Sequence, residues 1–235
     1  MLKKQSKPVI PHPFFPRNAS IPHYVPNTTS IEELLGIFFG LLFVALVGTW
    51  LLTSRKTLRF GVGDRLILCW FVGCGFIHTI LEGYFCVFNE TLAGKETYLA
   101  QMWKEYGKAD SRYLTSDSFT VCMESITAFL VGPLCFGVVL AYVTRNPSRY
   151  VLQLVVSICH LYGDSLYMSI EAKEGFIHGE YNHPLHFWFY FVFLNLWWIF
   201  VPLVLITQAC LRLVEAQRLS DIRPNVTNSK SKKRK

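Results

Sequence analysis

Leu66-Ile67-Leu68-Cys69-Trp70-Phe71-Val72-Gly73-Cys74-Gly75-Phe76-Ile77-His78-Thr79-Ile80-Leu81-Glu82-Gly83-Tyr84-Phe85-Cys86-Val87-Phe88 contains neither lysine nor arginine, and its two readily ionised side chains, His78 and Glu82, stand four residues apart. Wound as an α-helix, a run of this length crosses a hydrocarbon core roughly 30 Å thick. Four more runs of the same kind lie on either side of it, at about 32–53, 119–143, 150–171 and 184–211. Hydrophobic residues make up 51% of the 235 and gather in these blocks. The chain therefore reads as an all-α polytopic membrane protein, a bundle of five transmembrane helices.

Charge sorts the connections. Arg55, Lys56, Arg59 and Arg65 fall in the first loop, Arg145 and Arg149 in the third, and the chain ends Lys232-Lys233-Arg234-Lys235. By the positive-inside rule these regions face the cytosol, which puts the N-terminus and the loops 89–118 and 172–183 in the lumen. The formal net charge of +7 is spread over loops and tail and forms no amphipathic stripe, so nucleic acid is not an expected partner. Residues 1–30 are polar, with Pro8, Pro11, Pro13, Pro16, Pro22 and Pro26, and lack the apolar core of a cleaved signal peptide. The expected organisation is an irregular proline-rich segment 1–30, a five-helix membrane domain 31–211 with the luminal loop 89–118, and a basic cytosolic tail 212–235. Lysines third and fourth from the end resemble a dilysine-type signal of endoplasmic reticulum retrieval. Asn18, Asn27 and Asn89 begin N-x-S/T sequons on the luminal side. The seven cysteines all lie within predicted spans and form no CxxC pair, a pattern of small packing residues rather than of a zinc site or disulfide scaffold.

The acids inside the spans carry the chemistry. An ionisable side chain at bilayer depth costs roughly 2.5 to 3.5 kcal/mol on insertion scales, so it faces a cavity and marks function. Spans two to five hold Glu82, Glu124 and Asp164 and offer them no lysine or arginine. Helical spacing places His78 with Glu82, Glu124 with Thr127, and Asn195 with Trp198 on shared faces. Counted from the luminal ends at 1.5 Å per residue, Glu82 comes to about 9 Å depth and Glu124 to about 7 Å, with His78 and Asn195 both near 15 Å. The alternative for each is a structural one: a lone polar residue often only joins helices, and Asp164 fits a helix-packing hydrogen bond as well as a pocket wall. Paired acids without cations fit proton transfer better, since a neutral carboxylic acid in an apolar site donates a proton and its conjugate base stabilises positive charge. The indole of Trp198 adds a face that attracts cations. No GxSxG elbow, glycine-rich phosphate loop or HExxH motif competes, and no metal or cofactor is implied.

Five strings also carry a resemblance: Cys74-Gly75-Phe76-Ile77-His78-Thr79-Ile80-Leu81-Glu82-Gly83-Tyr84-Phe85, Trp103 to Tyr113, Phe119 to Ala128, Leu152 to Ser157, and Phe187 to Asn195. In this order and spacing, from about Pro22 to Leu211, the chain closely resembles the emopamil-binding, EXPERA-domain family. The resemblance implies a five-span protein of the endoplasmic reticulum membrane that isomerises a Δ8 sterol, zymosterol-like, to a Δ7 sterol without a cofactor. By motif match it implies catalytic roles for His78, Glu82, Glu124 and Asn195. Substrate-binding and cation-stabilising roles fall on Thr127, Trp198, Tyr106, Asp110, Arg112 and Tyr113. The order of proton transfer among His78, Glu82 and Glu124 stays open. Implied partners are the sterol, cationic amphipathic amines that compete with it, the lipid bilayer, and a second copy of the chain in a homodimer. A non-catalytic sterol- or amine-binding membrane protein of the same family is the alternative; it has no chemical need of the set His78, Glu82, Glu124 and Asn195. A proton-coupled transporter would show an inverted repeat, and none is visible.

Overall fold

The computed structural model describes residues 11–55 and 57–232, with side chains as far as Ile222. Expectations that rest on Pro8, on Lys56 and on the dilysine pattern Lys232 to Lys235 concern side chains outside the described residues. No strand occurs among the described residues, and the long elements are all helices. Five are long and apolar enough to cross a membrane: α1 (Ile31–Thr53), α2 (Val62–Phe88), α4 (Ser118–Val143), α5 (Arg149–Glu174) and α6 (Pro184–Ile222), with the short α3 (Tyr98–Tyr106) between α2 and α4.

Capping residues set where these helices begin. The Ser30 hydroxyl accepts from the Glu33 N–H at 3.2 Å, and Glu32 and Glu33 in the first turn complement the helix dipole of α1. Helix α2 starts four residues before the apolar run, because Asp64 accepts from the Gly61 N–H at 3.3 Å and Arg65 reaches back to α1. The Arg65 guanidinium lies 3.6 Å over the Trp50 ring and donates to the Trp50 carbonyl at 3.0 Å. These residues are helical but polar, so a hydropathy reading stops short of them. Helix α5 ends at Gly175, whose φ of 79° is the left-handed conformation that terminates helices. The His183 ring accepts from the N–H groups of Leu185 and His186, at 3.2 and 3.1 Å, and so opens α6.

Helices α5 and α6 pack along their lengths, α2 packs on α4, and α1 leans on α2. The outer face of α1 (Leu41, Phe43, Val44) is exposed, as a lipid-facing surface requires. The chain expected to leave α6 at Leu211 instead stays helical to Lys232. Residues 212–222 contain no breaker, and Arg212 with Glu215 at 3.4 Å and Gln217 with Asp221 at 2.7 Å join successive turns.

At one end of the bundle the loop 89–118 does more than lie on the surface. Trp103, Lys104, Asp110, Arg112 and Tyr113 are buried there, and Phe14 and Ile21 of the irregular segment before α1 join the same core. Gln101 accepts from the N–H groups of Thr28 and Thr29 at 2.8 Å, and Lys104 donates to the Val25 carbonyl at 2.7 Å. A chain segment without secondary structure thus finds partners for its backbone groups on α3.

Candidate active site

Two helices are distorted where the predicted site residues sit. Ile77–Glu82 of α2 and Thr127–Val131 of α4 are wound as wider π-helical turns and pack on each other. Pro133 stands two residues past the second turn and has no N–H to contribute to the helix there. Gly132 permits the close approach: a Cβ there would lie 2.8 Å from Thr79 Cγ2 and 3.0 Å from His78 Cβ. The missing side chain is what lets His78 seat against α4.

The result is a largely apolar cavity of about 870 Å³ within the bundle. Its size falls among small-molecule pockets. His78, Glu82, Glu124, Thr127, Asn195, Trp198, Tyr106 and Tyr113 all line it, together with Asp164, and among the described residues no lysine or arginine does. His78 Nδ1 is 2.7 Å from Glu82 Oε1, both side chains being buried. The Glu82 and Glu124 carboxyls adjoin, and the Tyr113 hydroxyl donates to Glu124 Oε1 at 2.5 Å. Burial, with Glu124 beside it, holds the Tyr113 phenol protonated well above its ordinary range, which keeps it a donor. Trp198 Nε1 donates to His78 Nε2 at 3.3 Å, and the Thr127 hydroxyl donates to the Met123 carbonyl at 3.0 Å.

Asn195 sits nearer the loop 89–118 than depth counting placed it. Its side-chain amide donates to the Tyr106 hydroxyl at 3.1 Å and to the Phe191 carbonyl at 2.6 Å, and Trp198 three residues on is the one that meets His78. The physical reason lies in Pro184–Phe193, another π-helical stretch, which rises less per residue than the α-helix assumed in the count.

Asp110 and Arg112 do not reach the cavity. They form a buried ion pair behind its wall, Arg112 Nε at 2.9 Å from Asp110 Oδ1 and Arg112 Nη2 at 2.6 Å from Asp110 Oδ2. Tyr167 donates to Asp110 at 2.6 Å, and Glu171 Oε2 is 3.5 Å from Arg112 Nε. The network holds the turn Ser111–Tyr113, and hence the Tyr113 hydroxyl at Glu124, while Tyr113 stacks on Trp103 at 4.5 Å. His178 closes it, Nδ1 at 2.7 Å from Glu171 and its carbonyl accepting from the Ser111 N–H at 2.8 Å.

The hydrogen bond to Glu171 raises the His178 pKa above its ordinary value. A raised pKa means stability that is present in full below about pH 6.5 and is lost as pH climbs through the raised value. The thermal unfolding midpoint in detergent is therefore expected to be higher at pH 6 than at pH 8.5, with a smaller difference in His178→Gln. An equal difference in the variant would remove His178 as the cause.

A histidine and a carboxylate that the sequence did not single out also line the cavity. His160 Nε2 lies 3.1 Å from His78 Nε2, and Glu105 reaches the cavity from α3. His160 had a visible signal, since His160 and Asp164 repeat on α5 the four-residue spacing of His78 and Glu82. Glu105 had none, lying in a mixed loop segment. Cys74, His78 and His160 bring ligand atoms within 4.8 Å of one another, but the His78 nitrogen facing the other two already accepts the Trp198 N–H. Outside the cavity, Glu180, His183 and His186 form a second cluster of that kind, where His183 Nδ1 is occupied as the cap of α6.

The family model of EXPERA (EXPanded EBP superfamily) matches residues 98–209, which run from α3 into α6. The 3-beta-hydroxysteroid-Delta(8),Delta(7)-isomerase of Mus musculus is 47% identical over 211 residues, 89% of this chain and 92% of that protein. The protein of the same name from Cavia porcellus is 42% identical over 222 residues, 94% of this chain and 96% of that one. A probable 3-beta-hydroxysteroid-Delta(8),Delta(7)-isomerase of Arabidopsis thaliana is 36% identical, covering 95% of this chain and 97% of its own length. Similarity of this extent reaches every span and both π-helical walls of the cavity, and by it the chain belongs to the EXPERA (EXPanded EBP) family.

Proposed function

We propose that this chain is a cofactor-independent sterol isomerase that moves the C8=C9 double bond of a Δ8 sterol to C7=C8. The observation that carries the reading is the adjoining Glu82 and Glu124 pair in an apolar cavity that no lysine or arginine among the described residues lines. The names of the relatives support the same substrate class. A proton delivered to C9 leaves a tertiary cation at C8, and loss of a proton from C7 gives the new double bond, so the sterol ends with the atoms it began with. Glu82 and Glu124 make the proton transfers, with His78 hydrogen-bonded to Glu82. The adjoining carboxyls and the indole of Trp198 stabilise the cation. Thr127, Tyr106, Tyr113 and Asn195 shape the wall around the substrate, and Asp110 with Arg112 acts from behind it by holding Tyr113.

The same charge logic makes cationic amphipathic amines competitors, because a protonated amine mimics the cation at C8. In the bilayer the basic loops set the sidedness, with the N-terminus and loop 89–118 luminal and α6 running into the cytosol. The three-part organisation, residence in the endoplasmic reticulum membrane and assembly as a homodimer belong to the same reading.

The test is conversion of a Δ8 to a Δ7 sterol by membranes of isomerase-deficient cells expressing the chain, with products separated by gas chromatography and mass spectrometry. Product formation that an amphipathic amine inhibits competitively is the expected result. Sterol binding without conversion would replace the enzyme by a binding protein.

A further inference from the structure

We propose that His160 is a positioning residue that fixes the tautomer of His78, and through it selects the Glu82 oxygen that exchanges protons with the sterol. The inference rests on the isomerase reading above. An indole nitrogen only donates. Trp198 Nε1 is 3.3 Å from His78 Nε2, so that His78 nitrogen presents a lone pair. A neutral imidazole with a bare Nε2 carries its hydrogen on Nδ1, and Nδ1 is the atom 2.7 Å from Glu82 Oε1.

His160 Nε2 approaches the same lone pair at 3.1 Å. Two bare nitrogens at that distance would repel, so His160 bonds there only by donating its Nε2 hydrogen. Its own Nδ1 is then bare, and it has no hydrogen-bond partner among the described residues. Packing fixes the ring in this orientation, since it is buried, edge-on to Trp70 at 6.3 Å, with Cys135 Sγ 3.8 Å from Nε2. The shorter of the two bonds to His78 comes from His160, on α5, and the longer from Trp198, on α6.

With both His78 nitrogens engaged, neither is free for a sterol carbon. His78 then serves as a fixed donor to Glu82 Oε1. The other carboxyl oxygen, Oε2, has no hydrogen-bond partner among the described residues. It is the oxygen that passes the proton.

The experiment combines a spectroscopic and a kinetic arm. In wild-type protein labelled with ¹⁵N-histidine, His78, identified by comparison with His78→Gln, should show a protonated Nδ1 and a bare Nε2. An Nε2-protonated His78 overturns the proposal, and this arm decides it whether or not the protein turns over a sterol. In His160→Leu the spectrum should become a mixture of tautomers, and kcat should fall about 5- to 10-fold with KM unchanged, the loss of one buried hydrogen bond. His160→Gln, whose amide can donate from the same place, should restore most of kcat. A wild-type kcat in His160→Leu, or a Gln variant as impaired as the Leu variant, overturns the positioning role. Absence of sterol conversion by the wild type would instead strike the isomerase reading and leave the spectrum to decide the tautomer.

Discussion

Glu82→Gln and Glu124→Gln are each expected to lower turnover of a Δ8 sterol by about 10²- to 10⁴-fold, the range that positioned general acids and bases contribute. Both changes keep volume and shape. The amide oxygen introduced by Glu82→Gln can still accept from His78 Nδ1, and that of Glu124→Gln can still accept from the Tyr113 hydroxyl, the bonds that measure 2.7 and 2.5 Å in the parent. An amide holds that geometry but neither releases nor takes up a proton at neutral pH. The expected signature is therefore a large fall in kcat with a preserved unfolding midpoint, measured by sterol conversion and by thermal unfolding of the same preparation. Cationic amines should also bind less tightly to each variant, since one of two adjoining carboxyls is gone. Near-normal conversion by both variants would end the catalytic assignment, and unchanged amine affinity would end the cation-mimic account of inhibition.

Arg112→Ala should show the opposite signature, a loss of stability of about 3–5 kcal/mol. The Arg112 and Asp110 side chains are 3% and 0% exposed, and removing the arginine leaves the Asp110 carboxylate buried beside Glu171 without its ion-pair partner. The guanidinium also lies 4.8 Å from the Tyr167 ring, so its removal opens a space against α5. Asp110→Asn should cost less, because Asn retains an oxygen for the Arg112 N–H, which Asp110 accepts at 3.0 Å. Since the pair stands behind Tyr113 and not in the cavity, residual folded Arg112→Ala protein should lose activity through a displaced Tyr113 hydroxyl. Denaturant or thermal unfolding in detergent checks the order; a decrease below about 1 kcal/mol for Arg112→Ala would mean that water reaches the pair.

Much of this was open to reading along the chain. Long apolar runs without lysine or arginine have one stable outcome in a bilayer, because helices satisfy their backbone groups within the segment. Five such helices are present among the described residues. The pairing of His78 with Glu82 was equally legible, since residues four apart share a helix face whether the turn is α-helical or slightly wider.

Less was legible wherever the answer depended on groups far apart in sequence. Nothing local separates Asp110 and Arg112, which face each other behind the wall, from Tyr106 and Tyr113, which line the cavity; all four lie in one polar aromatic segment. The helical continuation past Leu211 was missed for a different reason. Hydropathy measures a preference for lipid, whereas 212–222 mix charged and polar residues with apolar ones in a stretch that nonetheless favours a helix.

By itself, then, the sequence determined the number of spans, their boundaries to within a few residues except at the end of α6, and the presence of acids without cations inside them. These are properties of single segments in contact with lipid, and each segment must meet them alone. Only the tertiary structure decided which acids adjoin, that Trp198 rather than Asn195 meets His78, and that His160 completes the cluster. Those outcomes turn on shifts of an ångström or two between helices, set by the π-helical turns and by the space that Gly132 leaves for His78. Close packing resolves such shifts, and spacing along one helix does not contain them.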